Sequence, residues 1–251
     1  MEPLAIMSDI HGNRWALEAV LEDIEKRNIL NIVNLGDVLY GPLDPAGTAN
    51  LLMPLGLSTV SGNQDRIIID PSIPNDFNPT LQFVRRSLEK NHLMILETLP
   101  KTHTIDDTIL LFHGTPEHDE TYLLLDVHKT GISLKSDNEL SALLQNRTES
   151  VFLCGHDHTP NIVTLPDGKI IVNPGSVGLQ AYDDDEPFPH AIDNGSPHAR
   201  YSILSQREYG FYIEHIMIPY DHHSASATAI TNGRPDWGEW LKTGRATIPN
   251  G

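Results

Sequence analysis

Leu4-Ala5-Ile6-Met7-Ser8-Asp9-Ile10-His11-Gly12-Asn13 decides how the rest of the chain is read. Its four leading apolar residues form a short buried-strand run, and Asp9 to Asn13 is a turn holding a carboxylate and an imidazole two positions apart. Residues i and i+2 share a face at a strand end, so Asp9 and His11 can point the same way. Residues 14–27 then carry Ala16, Leu17, Val20, Leu21 and Ile24 at helical spacing, with Glu18, Glu22, Asp23, Glu25 and Lys26 on the wet side. Ile32-Val33-Asn34-Leu35 is the next strand and ends on Gly36-Asp37. Asp44 caps a second helix reaching Leu52, with Pro45 at its first position. Ser58-Thr59-Val60 leads as a strand into Gly62-Asn63. This alternation predicts parallel strands with helical crossovers, and ligands in such sheets gather beyond the carboxyl ends of the strands.

The later half changes character. Residues 80–99 read as one helix through Leu81, Val84, Leu88, His92 and Ile95. Ile105 to His113 reads as a hairpin turning at Asp106-Asp107, with Ile109 to Phe112 its buried arm. Further strands run through Val151-Phe152-Leu153 and Ile162 to Leu165, and Pro166-Asp167-Gly168 turns into Lys169 to Val172. Arg200 to Leu204 and Tyr209 to Ile218 read as a long final hairpin. A second, mostly antiparallel sheet packed on the first is the simplest assembly. Asp183 to Glu186, followed by Pro187 and Pro189, reads as a solvated surface loop. No linker interrupts the pattern, so 1–251 is expected to form one domain.

Five turns share one chemistry: Asp9 to Asn13, Gly36-Asp37, Gly62-Asn63-Gln64-Asp65, Phe112-His113-Gly114 and Gly155-His156-Asp157-His158. Each offers a carboxylate, an imidazole or an amide oxygen beside a glycine. Among 13 histidines any one alone is better read as structural, as are His92, His103, His128, His198, His215, His222 and His223. His118 and His190 lie in segments that can line a cleft. Five ligand-bearing turns in order, each after an apolar strand, are a different matter. Together they can hold two divalent cations side by side, an arrangement suited to hydrolysing phosphate esters.

The net charge of −17, from 17 basic and 34 acidic residues, disfavours broad backbone-driven binding to duplex nucleic acid. It leaves a small phosphoester substrate open, because two bound cations invert the local field. No apolar run is long enough to span a membrane, and no basic segment precedes the first apolar run, so neither an anchor nor a secretory signal is expected. The lone cysteine, Cys154, sits in an apolar strand as a buried spectator, consistent with a reducing, cytoplasmic setting.

On these five motifs, and on Asn173-Pro174-Gly175-Ser176-Val177-Gly178 and Ala199-Arg200-Tyr201, the chain resembles the calcineurin-like metallophosphoesterase superfamily. Within it, the chain is most similar to the small bacterial phosphodiesterase branch whose first motif reads Asp-x-His-Gly-Asn. The resemblance implies a four-layer α/β/β/α sandwich of two mixed β-sheets flanked by helices. It implies that Asp9, His11 and His158 hold one ion, that Asn63, His113 and His156 hold the second, and that Asp37 bridges them, with the ions about 3.5–4 Å apart. Mn2+, Fe2+/Fe3+, Zn2+, Ni2+ and Co2+ all suit such a donor set. The catalytic residues implied are Asp37, Asn63, Gln64 and His113, serving a hydroxide that bridges the ions and attacks phosphorus in line.

Three departures refine that expectation. Gln64 stands where many relatives carry histidine; a glutamine can donate a hydrogen bond to a phosphate oxygen but cannot pass a proton. Phosphodiesters are therefore favoured over monoesters. Asp157 stands where threonine is common, and either orients an imidazole or is solvated. Val38-Leu39-Tyr40 lacks the arginine that clamps phosphate in protein phosphatases and symmetrical dinucleoside tetraphosphatases. Arg14 is read onto a helix face, Arg66 as a partner available to Asp65, and Asn13 as a helix cap. The alternatives are a phosphomonoesterase or nucleotide polyphosphate hydrolase, and a non-catalytic interaction scaffold on the same fold.

Overall fold

The opening run forms β1 (Leu4–Met7), buried at every position, in a computed structural model that describes residues 1–76 and 78–248. Phe77 and residues 249–251 of the expected 1–251 unit lie outside the described residues. Asn13 starts α1 (Arg14–Lys26), its Oδ1 accepting from the Ala16 N–H at 3.2 Å. Then come β2 (Asn31–Asn34), α2 (Pro45–Leu52, capped by Asp44) and β3 (Ser58–Thr59). α3 (Asn63–Ile69), α4 (Pro79–Ser87) and α5 (Lys90–Thr98) follow. β4 (Thr102–Ile105) and β5 (Ile109–Phe112) precede β6 (Leu125–His128), β7 (Gly131–Leu134) and α6 (Asp137–Leu143). β8 (Val151–Leu153), β9 (Asn161–Thr164), β10 (Ile170–Asn173), β11 (Ala181–Asp184) and β12 (His190–Asp193) lead to β13 (Ala199–Arg207) and β14 (Gly210–Ile218). α7 (His222–Thr231) and α8 (Pro235–Thr243) close the described fold.

Two five-stranded mixed sheets result, in the orders β14-β13-β1-β2-β3 and β4-β5-β8-β10-β9. Alternation along the strands builds four layers. Leu4 and Ile6 of β1 meet Ile109 and Leu111 of β5 and Val151 and Leu153 of β8 in one core between the sheets. The intervening Ala5 and Met7 face a second core with α1, α7 and α8. Leu110, Phe112 and Phe152 face a third with Leu140 of α6. The α/β/β/α sandwich is therefore as expected.

Several local expectations are corrected. The second sheet is mixed, not mostly antiparallel: β5, β8 and β10 run parallel, with antiparallel neighbours at each edge. The long final hairpin joins the first sheet, because β13 pairs antiparallel with the edge of β1 that β2 leaves free (Leu4 opposite Leu204). The helix over 80–99 is two helices. Leu88 is extended, and His92 Nδ1 accepts from the Glu89 N–H at 3.1 Å, starting α5 afresh. Asp183 and Asp184 end β11 rather than sitting in a loop, although Asp184 to Pro187 are exposed. The turn at Asp106-Asp107 stands, with φ of 48° and 52°. No described helix is long and apolar enough to cross a membrane.

Candidate metal centre

Each of the five motifs leaves the carboxyl end of a strand: β1, β2, β3, β5 and β8. Backbone bonds stitch the turns together, with Asp9 N–H donating to Gly36 O and His11 N–H to Asp37 O, both at 3.0 Å. Gly155 N–H donates to His113 O at 2.8 Å. His156 N–H crosses between the sheets to Asp9 Oδ2 at 3.1 Å. Asp9, His11, Asp37, His156 and His158 all have φ between 52° and 73°, the left-handed region that non-glycine residues avoid. Strain of this kind, on the order of 1–3 kcal/mol per residue, persists only where the surroundings over-determine the conformation. In these turns Asp9 and His11, and His156 and His158, reach one centre, while Ile10 between the first two packs into the core.

The side chains fall into two abutting groups. In the first, His11 Nε2 lies 3.0 Å from His158 Nε2, and Asp9 Oδ1 lies 3.3 Å from His158 Nε2 and 3.9 Å from His11 Nε2. In the second, His113 Nε2 lies 3.4 Å from Asp37 Oδ2 and 3.1 Å from Asn63 Oδ1, with His156 completing the set. His113 Nε2 is also 3.9 Å from Asp9 Oδ1, so the groups touch. Within each trio, Asp9-His11-His158 and Asp37-His113-His156, the potential ligand atoms lie within 4.8 Å of one another. All seven residues singled out as ligands are thus brought together, and Gln64 lines the cleft above them.

The ring orientations are held from behind. Backbone carbonyls of Tyr40, Leu35 and Leu179 lie 3.0, 2.8 and 2.6 Å from Nδ1 of His11, His113 and His158. With the proton on Nδ1, a neutral ring turns its Nε2 lone pair to the centre, and His113 does so once a cation displaces its second proton. Asp9 is divided similarly. Its Oδ2 accepts from Ser8 Oγ at 2.5 Å and from the His156 N–H, while its buried Oδ1 has no hydrogen-bond partner among the described residues. A buried, unpartnered carboxylate oxygen facing imidazole lone pairs fits a cation.

Electrostatics point the same way. Burial, with the neighbouring His158, lowers His11 to about 4, and burial with His113 lowers His156 to about 4, so both rings are neutral. Burial also disfavours a charged His113, but the carboxylates of Asp37 and Asp9 outweigh it and lift that ring to about 10. Burial works against ionised Asp9 and Asp37 too; the imidazoles around them nonetheless hold both below the ordinary carboxylate range. The pocket therefore carries a negative potential that draws in positive charge.

Other residues act on this centre from outside it. Asp65 accepts from the Val38 N–H (2.9 Å) and the Gly62 N–H (3.0 Å), locking the second motif to the third. Burial and the Asp37 carboxylate raise it to about 7. Arg66 pairs with Asp119 and Glu120, not with Asp65, because Asp65 is turned into the backbone. Asp157 neither bonds an imidazole nor meets solvent. It is buried, accepts from Thr159 N–H and Asn173 Nδ2, and is pushed up to about 7 by burial. Asn13 caps α1 and donates to Gly178 O, and Arg14 pairs with Asp44. His190 is buried behind the cleft wall, 3.1 Å from the Tyr122 hydroxyl. Tyr40, Tyr122, Tyr182, Arg234 and Trp237 line the cleft and were not singled out from sequence. Trp237 sets its ring edge-on to His11 at 5.8 Å. Only the proximity of Tyr40 to Asp37 offered a signal; Arg234 and Trp237 lie nearly two hundred positions from the second motif in sequence.

The calcineurin-like phosphoesterase superfamily domain matches residues 3–190. An uncharacterized protein of Methanocaldococcus jannaschii is 28% identical over 256 residues, 96% of this chain and 98% of that one. A metallophosphoesterase from Sphaerobacter thermophilus superposes with a TM-score of 0.74 at 24% identity, over 97% of this chain and 100% of the other. A hypothetical protein from Pyrococcus horikoshii gives 0.74 at 19% identity, over 98% and 100%. Both show the shared fold. Matched across the stretch that supplies all seven converging side chains, this chain belongs to the calcineurin-like phosphoesterase superfamily.

Proposed function

We propose that this protein is a metal-dependent phosphodiesterase acting, as one unit, on a small phosphoester. The observation that supports this most is the convergence of two Asp-His-His trios with an unpartnered carboxylate oxygen between them. Asp9, His11 and His158 would hold one divalent ion, Asn63, His113 and His156 a second, and Asp37 would serve both. The Asp37 carboxylate already acts on His11 as well as on His113. Asn63 contributes a neutral oxygen, which limits the negative charge of the set. Mn2+, Fe2+, Zn2+, Ni2+ and Co2+ are the ions this donor set suits.

Two ions bound there would supply acidified water for attack near neutral pH, and positive charge for the phosphoryl oxygens. The chain itself does the positioning. Carbonyl-held imidazoles keep their Nε2 atoms inward, and the Gln64 N–H holds Asp37 Oδ1 at 2.9 Å. Gln64 lines the cleft, and a glutamine there can donate to a phosphate oxygen but not protonate a leaving group. This favours diesters with good leaving groups.

The test is hydrolysis of bis(p-nitrophenyl) phosphate by chelator-treated protein before and after Mn2+ or Co2+ is restored, with metal content measured alongside. Turnover that vanishes and returns with the ion supports the reading. Protein holding two ions per chain without turnover of any phosphoester would overturn it in favour of an interaction scaffold.

A further inference from the structure

The cleft above the seven side chains has two chambers, and they differ in chemistry. The first, about 450 Å³, is walled by Tyr40, Tyr182, Trp237 and Trp240, with Arg234 beside them. The second, about 550 Å³, is walled by Thr121, Leu125, Val127 and Lys135, under an acidic rim at Asp126 and Glu186. They share four residues: Asn63, His156, Tyr122 and Asp184. Asn63 and His156 belong to the second candidate metal group, so the chambers meet where a phosphoryl group would sit.

Tyr122 is a fixed partition between them. Its hydroxyl lies 2.7 Å from that of Tyr182 and 3.1 Å from His190 Nε2, and its carbonyl accepts from Lys135 Nζ at 2.9 Å. The Tyr182 hydroxyl in turn donates to His156 O at 3.2 Å. A divider held at both ends does not swing aside to merge the chambers.

A monoester has one substituent and needs one chamber. A diester has two, leaving phosphorus in different directions. We infer that the substrate is a phosphodiester whose aromatic substituent occupies the Tyr40–Trp237 chamber and whose second substituent occupies the Thr121–Lys135 chamber. This rests on the phosphodiesterase reading above. The aromatic walls suit a planar ring, and the guanidinium of Arg234, 5.7 Å from the Trp237 ring, supplies polarity at its edge. The second chamber pairs an aliphatic floor at Leu125 and Val127 with charged groups of both signs, which suits an uncharged alcohol or phenol.

Binding separates the two chambers without relying on turnover. Calorimetric titration of metal-loaded protein with phenyl phosphate and with diphenyl phosphate reads one arm against two. Thr121→Phe, at an exposed residue, obstructs only the second chamber. It should weaken diphenyl phosphate about tenfold or more and phenyl phosphate by less than about threefold. Asp183→Phe, on the first chamber alone, should weaken both ligands. Glu186→Tyr repeats the second-chamber obstruction from another element. Melting temperature and metal content are checked for each. Equal effects of Thr121→Phe and Glu186→Tyr on both ligands, or no effect on either, would overturn the chamber assignment. Absent turnover of bis(p-nitrophenyl) phosphate by wild type would instead sink the underlying phosphodiesterase reading.

Discussion

Replacing Gly62 by alanine tests whether the separate motifs operate as one centre. Gly36 and Gly62 approach so closely that neither has room for a side chain. A Cβ at position 62 would fall 2.1 Å from Asp37 Oδ1 and 2.5 Å from Asp37 N, inside the 3.0 Å that real Cβ contacts respect. Restoring that contact at Oδ1 alone requires a shift of about 0.9 Å, the difference between the two distances. The carboxylate cannot yield freely, because the Gln64 N–H holds the same oxygen at 2.9 Å. Overpacking of this kind costs about 1–3 kcal/mol of stability. A displacement of about 1 Å at a reacting centre costs about 100-fold in rate. Gly62→Ala should therefore fold with a lowered melting temperature, bind less metal, and lose about 100-fold in kcat on a chromogenic diester. Gly56→Ala is the control for an added methyl that meets no steric clash. Its φ of 57° is left-handed, unlike the −87° of Gly62, and among the described residues nothing lies within 4 Å of its added Cβ. It should cost about 1–2 kcal/mol of backbone strain and leave kcat unchanged. If Gly62→Ala retains kcat within about threefold of wild type and a full complement of metal, the claim that Asp37 is held in a narrow slot is wrong.

Asp65→Ala strands the buried Val38 and Gly62 N–H groups, and at about 1–3 kcal/mol for each lost partner should lower stability and metal affinity together; unchanged chemical denaturation would refute the locking role. Gln64→His should raise rates most on esters with poor leaving groups, and a uniform rate change across a leaving-group series would contradict a missing proton donor. Metal-free protein should lose stability as pH rises from ~7.5 to ~9.5, His113 contributing at most about 1.4 kcal/mol per pH unit. The sign follows from His113, whose folded value of about 10 exceeds its ordinary 6.5, so its contribution is complete below 6.5 and is lost as pH climbs toward 10. His11 and His156, held low, and Asp65 and Asp157, held near 7, change little in that window, while Cys154, whose thiol burial pushes up, adds a loss of the same sign whether or not metal is bound. Metal should remove the His113 share of the slope by taking the place of its proton. A pH slope that metal leaves unchanged would count against the negative potential assigned to the site.

Much of the fold was readable because its strands are short and buried on both faces. Leu4 to Met7, Ile109 to Phe112 and Val151 to Leu153 announce themselves as apolar runs ending in ligand-bearing turns. The break between α4 and α5 was not readable, because Leu88 and His92 keep helical spacing across it. The extended backbone at Leu88 and the bond from Glu89 N–H to His92 Nδ1 show that a new helix starts. The mixed character of the second sheet and the placement of β13 beside β1 were likewise hidden, since pairing partners are chosen by tertiary packing and not by local pattern.

The chain's own order of residues determined the ligand types, their glycine neighbours and their positions after strands, because those depend on chemistry within five or so neighbouring residues. Tertiary structure alone decided that Asp65 turns into the backbone and that Arg66 reaches Asp119 instead. It also decided that α8 carries Trp237 to His11, with Arg234 at its N-cap lining the same cleft, and that Tyr122 divides the cleft. These are contacts between segments far apart along the chain, and no local periodicity records which distant surfaces will meet.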